Sequence, residues 1–186
     1  MKPIIIVAGP SGAGKSSFVD KVIGEVSRLE DIITYTTRNM REGESEGNPY
    51  HFVSASKFEQ LKSQNFFVEW AKVHTNYYGT PIDQIEAAWA QNKGVIMDVD
   101  VQGAATMRQK FDQAKTIFIL PPSIEELRKR VLKRDKETVA DLEVRMNNAT
   151  LEIEQADKFD FQIKNDNFDS SYAKFKKIVE DILISG

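Results

Sequence analysis

Residues 4–16 read IIIVAGPSGAGKS. The first five are apolar, which is typical of a parallel strand buried on both faces. The remainder matches the pattern G-x-x-x-x-G-K-[ST], a glycine-rich turn whose backbone N–H groups can surround phosphate oxygens at the start of a helix. In this pattern Lys15 reaches the β- and γ-phosphates and the Ser16 hydroxyl ligates Mg²⁺. The stretch therefore predicts a strand, a phosphate-binding loop and a helix.

A glycine-rich turn that merely closes a strand is the alternative. The apolar residues that follow the loop disfavour it, because Phe18, Val22 and Val26 recur at helical spacing. The residues predicted to bind ATP through this loop are Gly9, Pro10, Ser11, Gly12, Ala13, Gly14, Lys15, Ser16 and Ser17.

Strand and helix patterns alternate along the rest of the chain. The segments 94–97 and 116–120 are apolar and short, and Ile124, Leu127 and Val131 form a helical stripe. This order predicts an α/β protein with a parallel sheet flanked by helices. The length of 186 residues fits a single domain.

Two helix starts are predicted from capping boxes. Ser56 with Glu59 and Ser123 with Glu126 have the required spacing. Each predicts a helix that begins directly after its serine.

The composition excludes several classes of protein. The chain has 25 Lys and Arg, 28 Asp and Glu, and therefore a formal charge of −3, which argues against coating nucleic acid by overall charge. It has no cysteine, which excludes disulfides, thiolate zinc sites and a cysteine nucleophile, and which is compatible with a cytoplasmic location. No apolar run reaches membrane length, so a membrane is not an expected partner. Because of the net negative charge, a nucleic acid is not an expected partner either.

Asp98 and Asp100 follow the second apolar segment. If both lie in a strand, they share one face, at the edge of the sheet where the phosphate loop also ends. A carboxylate there can hold Mg²⁺ directly or through water. The alternative is a solvent-exposed strand end.

A larger set of motifs resembles guanylate kinase, in the order and spacing of that family, over essentially the whole chain. The motifs are the loop at Gly9, TTRxxRxGE at 36–44, GxxYxF at 47–52, FVEWA at 67–71, NYYGT at 76–80 and DVDVQG at 98–103. The resemblance implies transfer of the γ-phosphoryl group of ATP to GMP, and also to dGMP, with Mg²⁺ as cofactor. It also implies a P-loop core at about 1–31, 81–123 and 157–186, a small, mostly β GMP-binding insertion at about 32–80, and a helical lid at about 124–156.

Glu69 is the residue expected to select guanine. An ionised carboxylate accepts two adjacent hydrogen bonds, which the ring N–H and the exocyclic amine of guanine donate and the corresponding edge of adenine does not. Arg38 and Arg41 have planar forks suited to a phosphate. The residues that the resemblance assigns to GMP are Thr34, Arg38, Arg41, Tyr50, Glu69, Tyr78, Thr80 and Asp100. Each on its own is compatible with a surface or core role.

The lid segment is rich in cations between 128 and 136. Cations that close over the substrate phosphates would offset their negative charge and exclude water. The alternative interpretations of this charged segment are a solvated helix face and, less favoured, a nucleic-acid-binding patch. The resemblance assigns Arg134 and Arg145 to catalysis beside Lys15 and Arg38, Asn165 to the ATP side, and Asp98 with Ser16 to the metal. Asp135 departs from the family, which has glycine there.

No general base is required, because the second pKa of a phosphate monoester is about 6 and the acceptor oxygen is already largely ionised. His51 and His74 are accordingly expected to be structural. Two other functions stay open. The first is a non-catalytic guanylate-kinase-like domain that binds a protein, and the retained Lys15 and Arg145 argue against it. The second is a P-loop kinase for another phosphorylated acceptor, and Glu69 argues against it.

Overall fold

The computed structural model describes residues 2–73, 75–134 and 139–185, and at 134, 139 and 140 only the backbone. The strands of these ranges are β1 Ile4–Ala8, β2 Leu29–Asp31, β3 Tyr35–Thr36, β4 Ser45–Glu46, β5 Pro49–Phe52, β6 Phe67–Val73, β7 Asn76–Pro81, β8 Gly94–Asp98, β9 Lys115–Leu120 and β10 Phe161–Lys164. The helices are α1 Lys15–Glu25, α2 Ala55–Ser63, α3 Ile82–Ala90, α4 Val101–Lys110, α5 Ile124–Arg134, α6 Val139–Ile153 and α7 Phe168–Ser185, with a 3₁₀ turn at Ala156–Lys158.

The central sheet has the order β10-β9-β1-β8-β2, and every neighbouring pair in it is parallel. Its first strand is buried on both faces. Ile4 and Ile6 belong to the apolar cluster that includes residues of α3 and α4, whereas Ile5 and Val7 belong to the cluster that includes residues of α1 and α7. The predicted parallel sheet flanked by helices is confirmed, and the continuous apolar run is explained because a two-sided sheet leaves no solvent face.

A second sheet, of order β4-β5-β3-β7-β6, is built from residues 35–81. It is mixed, because β3 runs parallel to β5 and antiparallel to β7. Aromatic rings hold it against α2, where Phe58 stacks on Phe67 with ring centroids 4.6 Å apart. The predicted boundaries of a core, an insertion and a lid stay predictions.

One of the two predicted helix starts is wrong. Helix α2 is capped by Ser54, whose hydroxyl accepts a hydrogen bond from the Lys57 amide at 3.2 Å, and Ser56 lies inside the helix. Ser123 does cap α5, since its hydroxyl accepts from the Glu126 amide at 3.1 Å. Two serines two residues apart compete for the cap, and the pattern alone does not rank them.

Among the described residues, no helix is both long enough and apolar enough to cross a membrane.

Candidate active site

The phosphate-binding loop connects β1 to α1 and depends on glycine. Gly9, Gly12 and Gly14 have φ values of 138°, 91° and 103°, a region that side chains disfavour. A Cβ at Gly9 would lie 2.4 Å from the Ile119 carbonyl oxygen, and one at Gly14 would lie 2.5 Å from the Asn165 amide nitrogen. The loop therefore has no room for other residues at these two positions.

The polar side chains around the loop are held in place. The Lys15 ammonium donates to the carbonyls of Gly9 and Pro10 at 2.7 and 3.3 Å. The buried amide of Asn165 donates to the Ala13 carbonyl at 2.8 Å, which joins β10 to the loop. Since α1 begins at Lys15, its first backbone N–H groups and the positive end of its dipole face the loop.

Ser16 lies against the end of β8. Its hydroxyl donates to the Asp98 carboxylate at 3.1 Å. These are hard oxygen ligands of the kind that Mg²⁺ accepts. Within the described ranges, no cluster of three or more acidic or histidine side chains could hold a metal alone. A pair of protein oxygens fits Mg²⁺, which usually takes one or two protein ligands and completes its shell with water and substrate phosphates.

The predicted strand geometry of the two aspartates is wrong for Asp100. Strand β8 ends at Asp98, and Asp100 is the N-cap of α4, where its carboxylate accepts from the Gly103 amide at 2.6 Å. The helix start turns this carboxylate toward Glu69: a Cβ at Gly103 would lie 3.0 Å from a Glu69 oxygen and 3.1 Å from an Asp100 oxygen. The cap thus separates the two aspartates, with Asp98 beside Ser16 and Asp100 beside Glu69.

Glu69 is a buried carboxylate with one protein partner assigned to it, the Thr80 hydroxyl, which donates to it at 2.5 Å. Glu69 is only 5% exposed. Burial and the neighbouring Asp100 raise the pKa of Glu69 to about 7, although hydrogen bonding to Thr80 and the charge of Lys110 oppose the rise. Thr34 lines the same cleft, and its buried hydroxyl has no hydrogen-bond partner among the described residues. The site thus retains unused hydrogen-bonding capacity for a polar ligand.

The two arginines of the second sheet's loop are organised around Glu44. Arg38 makes a bidentate ion pair with Glu44 at 2.8 and 2.9 Å, and the Arg41 amide donates to the same carboxylate at 2.8 Å. The Arg38 guanidinium also lies 5.4 Å from the centre of the Tyr50 ring, which meets Tyr78 edge to face. The Arg38 side chain therefore has a fixed orientation before any ligand arrives.

Helix α5, which belongs to the segment predicted to form a lid, packs against the phosphate loop. A Cβ at Gly12 would lie 3.2 Å from Leu127 and 3.4 Å from Val131, both on α5. Several lid cations pair with lid carboxylates, such as Arg128 with Glu143 on α6. Arg145 on α6 reaches the cleft. The side chains of Arg134 and Asp135 lie outside the described residues, as does His74.

One cleft of about 680 Å³ collects the predicted residues of both substrates. The predicted residues that line it are Gly9, Ser11, Gly12, Gly14, Lys15, Ser16, Ser17, Thr34, Arg38, Arg41, Tyr50, Glu69, Tyr78, Asp98, Asp100, Arg145 and Asn165. Pro10, Ala13 and Thr80 do not line it; the last lies behind Glu69. His51 lies outside the cleft and contacts Glu46 at 2.7 Å, in keeping with a structural role.

Sequence reasoning missed several residues of this cleft. Arg130 and Phe168 line its wall, and so does Glu152 on α6. Glu44 was part of a recognised motif, yet its bond to Arg38 was not predicted. The available signal for Glu152 was its spacing of about two helical turns from Arg145, which places both on one face of the helix.

The central sheet is parallel and carries a glycine-rich phosphate loop at the end of its first strand, and the second sheet beside it carries paired polar groups. These features define a P-loop nucleotide-binding protein of the α/β class. Comparison with known proteins identifies the family. The guanylate kinase family model matches residues 1–182. The chain belongs to the guanylate kinase family.

Individual relatives agree with the family model. The chain is 59% identical over 180 residues to guanylate kinase of Bdellovibrio bacteriovorus, with 97% of each chain covered. It is 40% identical over 177 residues to guanylate kinase of Bacillus subtilis, covering 95% of this chain and 87% of the relative. The crystal structure of guanylate kinase from Anaplasma phagocytophilum superposes with a TM-score of 0.80 at 27% identity, covering 97% of this chain and 85% of that one. The predicted resemblance is thereby confirmed.

Proposed function

We propose that the protein transfers the γ-phosphoryl group of ATP to GMP, and also to dGMP, giving ADP and GDP or dGDP. The observation that carries the proposal is a single cleft with the phosphate loop on one wall and the buried Glu69 carboxylate on the other. The names of the relatives support it. A role in purine nucleotide metabolism follows, in the cytoplasm, where both substrates are found.

Guanine is recognised by Glu69. Its ionised carboxylate accepts the ring N–H and the exocyclic amine of the base side by side. Thr34 offers a hydroxyl that has no partner in the part of the chain that the structure describes, and Thr80 keeps the carboxylate in position through its 2.5 Å hydrogen bond. Asp100, next to Glu69, completes the wall on the GMP side. Adenine presents an acceptor nitrogen where guanine has its ring N–H, so its lone pair would face the carboxylate oxygens, which are acceptors too.

The GMP phosphate is held by Arg38 and Arg41, with the hydroxyls of Tyr50 and Tyr78. All four line the cleft. Glu44 fixes the guanidinium of Arg38 from behind, so that little side-chain freedom is lost when the phosphate binds. Planar guanidinium groups match phosphate oxygens in pairs, which fixes the direction of the attacking oxygen as well as its position.

ATP is held by the loop at residues 9–17 and by Lys15, with Asn165 bracing the loop from β10. Ser16 and Asp98 would hold Mg²⁺, which when bound neutralises part of the charge on the ATP phosphates.

The reaction requires little covalent chemistry from the protein. An ionised oxygen of the GMP phosphate attacks the γ-phosphorus, a new P–O bond forms, and the bond to the oxygen that leaves with ADP breaks, so that no proton has to be removed. Lys15, Arg38 and Arg145 offset the repulsion between two polyanions and the charge that spreads over the transferred group. Arg134 belongs to this proposal through the family resemblance alone.

The alternative of a non-catalytic, protein-binding domain is not favoured, because relatives named guanylate kinase match nearly the whole chain at up to 59% identity. A kinase for a different phosphorylated acceptor is disfavoured for the same reason.

The test is an assay of ADP release from ATP and Mg²⁺ with each of GMP, dGMP, AMP, CMP and UMP. We expect rapid turnover with GMP and dGMP, and at least about 1,000-fold lower kcat/KM with the other three, because a site built to hydrogen-bond one base edge leaves buried groups unpaired with another. Equal turnover with AMP would refute guanine selection by Glu69. ADP release with no acceptor at all would indicate an ATPase instead.

A further inference from the structure

Strand β6 contains a bulge directly before Glu69. Phe67 pairs with Pro81 of β7 and Glu69 pairs with Thr80, so that two steps along β6 match one step along β7. Val68 is therefore the extra residue of the bulge. An extra residue interrupts the alternation of side chains and turns the strand, so the bulge determines the direction in which the Glu69 side chain leaves the sheet.

The bulge sends three consecutive side chains into three different surroundings. Phe67 stacks on Phe58 of α2, with ring centroids 4.6 Å apart. Val68 is buried in the apolar cluster of the central sheet, together with residues of α4. Glu69 lines the cleft and accepts the hydrogen bond of Thr80. In a regular strand Phe67 and Glu69 would share one face, so the bulge keeps an aromatic ring off the face that carries the selective carboxylate.

Lys110 holds this bulge from outside the sheet. It is the last residue of α4, and its ammonium donates a hydrogen bond to the Val68 carbonyl. A hydrogen bond from a charged donor is stronger than one between neutral groups. The other end of α4 lies beside the same strand, because the N-cap residue Asp100 is next to Glu69. Helix α4 thus contacts β6 through both of its ends, and Lys110 fixes the backbone one residue before Glu69.

The charge of Lys110 also favours the form of Glu69 that binds guanine. Burial raises the pKa of Glu69 to about 7, the hydrogen bond of Thr80 lowers it, Asp100 raises it and Lys110 lowers it. The two charges that act on Glu69 therefore come from opposite ends of α4, and Lys110 offsets Asp100. Only the ionised carboxylate accepts both hydrogen bonds of the guanine edge.

We propose that Lys110 is a positioning residue for guanine selection, which fixes the bulge at Val68 so that the Glu69 carboxylate faces the base; this inference rests on the proposed transfer from ATP to GMP. Lys110 is not among the described residues that line the cleft, so it acts through Glu69. Its removal should weaken the binding of GMP and leave the binding of ATP unchanged, because the phosphate loop forms the other wall of the cleft.

The variant Lys110→Met tests this role, because it keeps most of the side chain and removes the donor and the charge. We expect the Kd of GMP, measured by calorimetry, and the KM for GMP to rise about tenfold, with kcat within about twofold of the wild type and KM for ATP unchanged. The pH profile of kcat/KM for GMP should move to higher pH, because Glu69 ionises less readily without the nearby cation. A residue that only supports packing would not move this profile.

Two further variants serve as controls. Arg108→Gln removes a cation and a long-range hydrogen bond from the same helix, since Arg108 donates to the Lys158 carbonyl. We expect it to keep the wild-type KM for GMP and the wild-type pH profile. Lys110→Arg retains both the charge and a donor, and we expect its KM for GMP to lie within about threefold of the wild type.

The outcomes separate this inference from the proposed function. A wild-type protein that binds GMP without phosphorylating it overturns the proposed function, and the calorimetric comparison then decides the inference alone. The inference fails if Lys110→Met binds GMP as the wild type does, if it loses ATP and GMP to the same extent, or if its pH profile stays in place. It also fails if Arg108→Gln reproduces the effect, if Lys110→Arg is no better than Lys110→Met, or if Lys110→Met does not fold.

Discussion

The two walls of the cleft are built from different kinds of group. The phosphate loop between β1 and α1 is mainly backbone, shaped by three glycines with positive φ. The opposite wall consists of side chains that hold one another, such as Arg38 with Glu44 and Glu69 with Thr80. Backbone N–H groups bind any phosphate, whereas paired side chains can distinguish one base from another. Binding strength and selectivity are therefore expected to be separable by mutation.

The largest effect is expected for Lys15→Ala. It removes the cation that lies between the walls, and we expect transfer to GMP to fall at least about 1,000-fold, since a charge-stabilising group of this kind supplies several kcal/mol to the transition state. Thermal unfolding should stay near the wild-type temperature, because the Lys15 ammonium donates to two carbonyls of the loop, which water can replace. Wild-type rates would refute the assignment of the loop.

Glu69→Gln should break selectivity while leaving the loop intact. An amide N–H then faces a guanine donor, and we expect kcat/KM for GMP to fall about 100-fold, in line with the cost of a buried unpaired group. ATP analogue binding, measured by calorimetry, should not change. A uniform loss for GMP and for the poor acceptors would show that Glu69 acts on folding instead of on the base.

Gly9→Ala should damage the backbone wall through one methyl group. Its Cβ would lie 2.4 Å from the Ile119 carbonyl oxygen at a φ of 138°. We expect the free energy of unfolding to fall by about 2 kcal/mol, the range of strained backbone positions, and ATP binding to weaken. Chemical denaturation measures the first effect. Gly24→Ala is the matched control, because a Cβ there meets nothing within 4 Å.

The pH dependence of kcat/KM for GMP is expected to come from Glu69, on the wall of the cleft that selects the base. Glu69 has a raised pKa of about 7 in the free protein, and GMP requires its ionised form. The value of kcat/KM for GMP should therefore fall about tenfold as the pH is lowered from 8 to 6, since this parameter reports the free enzyme. The phosphate of GMP also titrates near pH 6, so part of the pH dependence comes from the substrate. The Glu69→Gln variant shows that part alone. An unchanged profile in Glu69→Gln would contradict the assignment.

The smallest effect is expected for Glu44→Gln. Arg38 keeps its charge but loses the carboxylate that fixes it, so KM for GMP should rise about threefold with kcat little changed, the size of a partly exposed ion pair. High salt should reduce the difference between variant and wild type. Loss of kcat alone would show that Glu44 acts on the chemical step.

The two walls of the cleft also differ in how far the sequence predicts them. The loop at 9–16 was identifiable because its backbone conformation requires glycines at fixed positions within one short stretch, and the apolar strands were identifiable because a parallel sheet buries both faces. Asp100 was misplaced, because alternation in a strand was assumed where the strand had already ended and a helix cap began. The bond between Glu44 and Arg38 was missed, because a contact within an irregular loop follows no fixed spacing, and the place of Glu152 in the cleft was missed because its helical spacing from Arg145 was not used.

The position of β1 has a consequence for synthesis on the ribosome. This strand lies in the middle of the sheet, and its neighbours β8 and β9 begin only at Gly94 and Lys115. The five buried residues of β1 are translated before either neighbouring strand, so β1 has no strand partner until β8 has emerged from the ribosome. Long-range pairing of this kind is slow and leaves apolar segments exposed. The nucleotide-binding motif is thus made well before the strands that complete its sheet.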